Sequence, residues 1–121
     1  MLTIRNFEDP HTGVSIRALG NPGSNTGHNY FTAMTWLSDS RHLVLYTDIN
    51  EEKMGVCVKA DSESGSAETV AERLEWARGL VSVQDRFYYY EGSRIYEYDL
   101  RTGASRTICT LVEDAVVYGP L

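Results

Sequence analysis

Cysteine is scarce in this chain, basic residues form no cluster, and no apolar run is long. Each shortage removes a class of protein. Cys57 and Cys109 are the only cysteines, too few for the disulfide framework of a short secreted domain and without metal-type spacing. Two free thiols in apolar strands are expected. Lys and Arg number 11 against 17 Asp and Glu, a net charge of −6. With no basic stripe to meet phosphates, nucleic acid is not an expected partner. No apolar stretch approaches the roughly 20 residues that span a bilayer. The opening Met1-Leu2-Thr3-Ile4-Arg5-Asn6 lacks the apolar core of a signal peptide. A soluble, cytoplasmic protein with no membrane partner is expected. G-x-S-x-G, a nucleotide-binding glycine loop and H-E-x-x-H are also missing.

What is present points to strands. The length, 121 residues, suits one domain. Eight Tyr, together with many Val, Ile and Thr, favour β structure. One short pattern, D-x-x-[ST]-G, occurs three times: Asp9-Pro10-His11-Thr12-Gly13, Asp61-Ser62-Glu63-Ser64-Gly65 and Asp99-Leu100-Arg101-Thr102-Gly103. Its Asp can bond the backbone that follows it, and its Gly supplies the positive φ that ends a tight turn.

The second and third copies sit at matching places in two similar units. The first unit has a strand at His42–Thr47, a polar loop at 48–54, a strand at 55–60, the turn at 61–65 and a segment ending Glu68-Thr69-Val70. The second has strands at 86–90 and 95–98, the turn at 99–103 and a strand ending Arg106-Thr107-Ile108. Strand cores keep their length while the loop varies, as repeated units diverge. Four short strands recurring at about 40 residues is the pattern of a propeller blade. One stretch, 67–78, also places Val70, Leu74 and Ala77 at helical spacing. The register of the repeat makes its first part a strand.

The fold expected is therefore all-β, a β-propeller segment of two four-stranded antiparallel blades plus an N-terminal closing strand at 14–19. Residues 1–22 hold that strand and a linker, 23–71 the first blade and 72–111 the second. An apolar strand at 115–118, within 112–121, begins a third. The innermost strand of the first blade is expected at 30–36. A strand that follows the first turn with no blade before it suits ring closure, which removes a free edge. Two blades alone leave unpaired edges, so self-association is expected. A small self-contained β-domain that only looks like blades is the competing fold.

Asp9-Pro10-His11-Thr12-Gly13-Val14, His28-Asn29-Tyr30-Phe31, Asp39-Ser40-Arg41, Asp85-Arg86-Phe87-Tyr88-Tyr89 and Asp114-Ala115-Val116-Val117-Tyr118-Gly119 follow in order along nearly the whole chain. Together they resemble the N-terminal part of oligogalacturonate lyases. The resemblance implies a seven-bladed propeller that cleaves short galacturonides by β-elimination, with a divalent metal, typically manganese, in its channel. It also implies that the metal-binding histidines lie in later blades, so this segment would hold no metal site and be inactive alone. An oligogalacturonide is the partner implied for the whole protein. The alternative is a non-enzymatic TolB-like or WD40-like propeller segment that binds protein through a blade face.

β-Elimination at a uronate needs a base for the proton beside the carboxylate, a cation for the carboxylate and a stabilised enolate. His28 and Asn29 are the candidate substrate contacts, because they follow the glycine-bearing loop 23–27 and lead toward an innermost strand. His11 in the first turn reads as solvated, and His42 as a structural residue at a strand entry. Asp48-Ile49-Asn50-Glu51-Glu52 lacks the ligand series of a calcium loop and reads as an acidic hairpin tip. Tyr88, Tyr89, Tyr90, Tyr96 and Tyr98 read as packing between strands and blades. The acidic balance opposes a polyanionic substrate, and nothing in the sequence gathers Arg5, Arg17 and Arg41 to offset it.

Overall fold

The computed structural model describes residues 2–112. They form ten strands and, among the described residues, no helix long and apolar enough to cross a membrane. β1 (Thr3–Glu8) and β2 (Ser15–Gly20) pair as an antiparallel hairpin. β3 (Gly27–His28), β4 (His42–Thr47), β5 (Met54–Asp61) and β6 (Ala67–Glu75) form the first blade, in chain order. β7 (Gly79–Val81), β8 (Arg86–Glu91), β9 (Arg94–Asp99) and β10 (Ser105–Thr110) form the second. The chain is thus a propeller segment with two four-stranded blades.

The three D-x-x-[ST]-G turns share one hydrogen-bond design. In each, an Asp Oδ1 accepts two backbone N–H groups: His11 and Thr12 for Asp9, Glu63 and Ser64 for Asp61, Arg101 and Thr102 for Asp99. The Gly N–H then donates to the Asp carbonyl at 2.8, 2.9 and 2.8 Å. Gly13, Gly65 and Gly103 sit at φ 71°, 77° and 79°, which an L side chain resists.

Alternation along β4 sorts its side chains between two cores. Val44 and Tyr46 join Cys57 and Leu74 against Phe87, Tyr89, Val81 and Leu100 of the second blade. Leu43 and Leu45 point the other way, with Val58 and Ala60, and meet Leu2 and Leu19 of the hairpin. The first blade is therefore covered on both faces. Stacked rings continue the inter-blade core, Phe87 on Tyr89 at 5.4 Å and Tyr89 on Tyr96 at 5.2 Å, as the tyrosine pattern predicts.

Several expectations need adjusting. The strand expected at 14–19 is β2, but β1 precedes it, so the N-terminal piece is a hairpin rather than one strand. Residues 30–36 are not the innermost strand of the first blade; that place belongs to Gly27–His28, paired with Tyr46 and Leu45. Within 30–36 the ladder contacts are one isolated bridge, Trp36 to Leu43, and single backbone bonds at Met34 and Thr35. The aromatic run fails as a strand because its side chains find no cover: Tyr30 and Phe31 stay 41% and 78% exposed.

The ambiguous stretch 67–78 is strand through Glu75, past the boundary expected after 71. Its helical spacing has a physical source. Register shifts between Gly55 and Val58 bring Val70, Ala71 and Leu74 onto one core, off the strict period of two. Cys57 is buried as expected, but Cys109 is exposed on β10, whose six residues are all exposed. The strand expected at 115–118 lies outside the described residues.

Candidate functional site

β4 of the first blade and β7 of the second are both bonded to the segment that links β3 to β4. Val44 of β4 donates its N–H to the Thr35 carbonyl at 2.9 Å, and Val81 of β7 donates to the Met34 carbonyl at 3.1 Å. Asn29 anchors the start of this segment. It is fully buried; its Oδ1 accepts the Tyr46 hydroxyl at 2.9 Å, and its Nδ2 donates to the Met34 carbonyl at 2.7 Å. Both ends of the amide are used inside the fold, so Asn29, read from sequence as a substrate contact, is a post that holds the segment.

His28 is exposed on β3. Its Nδ1 lies 2.5 Å from the Asn29 carbonyl. A carbonyl can only accept, so Nδ1 carries the proton and Nε2 is left as the free ring nitrogen. The His28 carbonyl takes the Trp76 indole N–H at 2.9 Å. Gly27 is required here, since a side chain would overlap that indole at 2.6 Å.

The other histidines stay apart. His11 sits exposed in the first turn. His42 places Nδ1 2.6 Å from Asp39 Oδ2, a contact between two neighbouring surface groups. The cations are also occupied. Arg41 chelates Asp61, with three contacts of 2.7 to 3.1 Å. Arg17 bonds Asn6 and the Ser62 carbonyl, and Arg5 lies over Phe7 at 5.1 Å. The Arg41 guanidinium holds the Asp61 carboxyl well below the usual range. The acidic tip at 48–52 is held to the fold by Ile49, which packs on the inter-blade core, and by Asp48, which accepts the Ser24 hydroxyl at 2.7 Å.

Among the described residues, no three His, Cys, Asp or Glu side chains come together as metal donors. A cleft of about 660 Å³ opens between the hairpin and the first blade, lined by Ile16, Arg17, Leu19, Trp36 and Leu43 among others. It holds no pair of acid and base groups. The exposed aromatic turn after Asn29 was hidden in the sequence by its own strand-forming composition. Its signal is an absence: residues 18–38 contain no Asp, Glu, Lys or Arg.

No family model matches the chain, and no curated protein sequence matches it. Among solved structures it is similar to the oligogalacturonate lyase of Vibrio parahaemolyticus, at 22% identity and a TM-score of 0.81. It is similar too to an oligogalacturonate lyase in complex with manganese, at 21% identity and the same TM-score. Each match covers 98% of this chain and 32% of the other, so the chain spans about a third of the structures it matches. The likeness shows a common fold, and it agrees with the resemblance read from the ordered sequence motifs.

Proposed function

We propose that this chain forms the opening blades of an oligogalacturonate-lyase-type propeller that cleaves short galacturonides by β-elimination. One observation carries the reading: 98% of the chain follows the fold of two such lyases, at a TM-score of 0.81. The hairpin supplies two strands of a further blade, whose remaining strands come from elsewhere. In a propeller the first strands line the central channel, which puts His28 and the segment after it on the channel side.

The described residues do not fit the divalent ion of the manganese-bound neighbour, because no donor set assembles among them. The base and the cation for the uronate carboxylate are likewise expected from other blades, since Arg41 and Arg101 are already paired with Asp61 and Asp85. What this chain contributes is a wall of the channel and the packing that holds it. Without further blades, the free edges of β1 and β10 favour self-association.

The test uses the protein in the longest form its gene encodes, with trigalacturonate and Mn²⁺, following ultraviolet absorbance of the unsaturated product. Rising absorbance is expected. Folded protein that leaves the substrate intact overturns the lyase reading and favours a binding role for the same propeller. Turnover by residues 1–121 alone contradicts the placement of the base outside them.

A further inference from the structure

We infer that Tyr30 and Phe31 form a stacking platform for one pyranose ring of the galacturonide, with the His28 imidazole beside it; this rests on the lyase-type reading above. The two rings lie 4.4 Å apart at 39°, and both are exposed while Tyr46, Phe87, Tyr89 and Tyr90 are buried. Exposure here does not mean looseness. The turn is closed by the Ala33 N–H on the Tyr30 carbonyl at 2.7 Å, and its C-terminal side is tied to both blades through Val44 and Val81. Buried Asn29 fixes its base through Tyr46 and Met34. The aromatic pair is thus held in place before any ligand arrives, which lowers the ordering cost of binding.

Chemistry selects the occupant. An aromatic face is electron-rich and attracts the weakly positive C–H bonds of a sugar face. A galacto-configured ring has one such face, because its axial hydroxyl points to the other side. Charge removes the main objection to a uronide. The chain carries −6 overall, yet neither residues 18–38 nor residues 79–84 contain Asp or Glu. The carboxylates of Glu68, Glu72 and Glu75 lie instead on β6, the opposite edge of the first blade. A polyanion reaching Tyr30 and Phe31 therefore meets rings on a segment without acidic residues, although Asp48 lies against the loop before β3 through Ser24. His28, its Nδ1–H held by the Asn29 carbonyl, offers Nε2 to a sugar hydroxyl.

The test titrates trigalacturonate into the protein, in the longest form its gene encodes, and into its Tyr30→Ala, Phe31→Ala and Phe31→Trp variants. Each alanine variant is expected to bind about two- to tenfold more weakly, with an unchanged thermal midpoint, and Phe31→Trp to restore binding. Unchanged affinity in both alanine variants overturns the platform, as does a loss that comes only with a lowered thermal midpoint. Parallel measurement of unsaturated product keeps the two readings apart. Product formed with unaltered binding in the variants sinks the platform alone, whereas neither binding nor product from the unaltered protein sinks both.

Discussion

Ser38 gives both its backbone N–H and its hydroxyl to the carboxylate of Asp85, at 2.7 and 2.6 Å, and so ties the first blade to the second. Arg101 donates twice to Asp85 Oδ2, the oxygen that also accepts the Ser38 hydroxyl, at 2.9 and 3.0 Å. Asp85 is buried and sits at φ 60°, so its place is costly to fill with anything else. A double-mutant cycle with Ser38→Ala and Asp85→Asn should show a coupling of about 1–3 kcal/mol in urea unfolding. Additive effects would mean that this carboxylate does not couple the two blades.

Acid should weaken the fold in a stated window. The Arg41 guanidinium lowers Asp61, the Ser38 hydroxyl lowers Asp85, and the Arg101 N–H lowers Asp99. Unfolded, all three titrate near about 3.9. Their folded values lie lower, so the unfolded chain takes up protons first as pH falls. The stability they contribute is complete above about pH 4 and disappears as pH drops through the folded values. A urea midpoint that declines below that pH is expected, with a shallower decline in Asp61→Asn. Identical acid limbs in the two proteins would contradict this assignment.

Gly65 and Gly13 share a turn type but should differ in their tolerance of alanine. Both variants pay the left-handed strain of about 1–2 kcal/mol. A methyl at Gly13 meets nothing, whereas one at Gly65 would overlap the Leu2 carbonyl. Gly65→Ala should therefore release the hairpin, seen as faster hydrogen exchange at the Leu2 amide, which bonds the Gly65 carbonyl at 2.8 Å. Gly13→Ala should leave that amide protected.

The two thiols should report the fold independently. Cys57 is fully buried, and burial pushes its thiol well above the usual range. Cys109 is exposed. An aromatic disulfide reagent at mildly alkaline pH should titrate one thiol in the native protein and both in urea. Rapid reaction of both without urea would show that the inter-blade core opens readily.

The sequence carried much of the fold, and the reasons are local. Phe87, Tyr89, Tyr96 and Tyr98 alternate on paired strands, and each D-x-x-[ST]-G turn contains its own hydrogen bonds, so neither needed distant context. β1 went unread because Thr3–Glu8 is mostly exposed, with no apolar alternation to mark it. The segment at 30–36 misled for the opposite reason: its residues favour strands, but no cover exists for Tyr30 and Phe31. His28 lies exposed on β3, while Asn29 became a buried post through Tyr46, a partner on β4 that spacing alone does not reveal.

The hydrogen bond from Leu2 to Gly65 also sets a timetable for synthesis. A two-stranded hairpin is marginally stable in water by itself. β1 and β2 leave the ribosome before the first blade, yet their apolar cover is Leu43, Leu45, Val58 and Ala60, and their backbone anchor is Gly65. Both strands must therefore wait, incompletely folded, until that blade has emerged to receive them. Synthesis that pauses before residue 65 leaves Leu2 and Leu19 uncovered, within reach of chaperones and of neighbouring nascent chains.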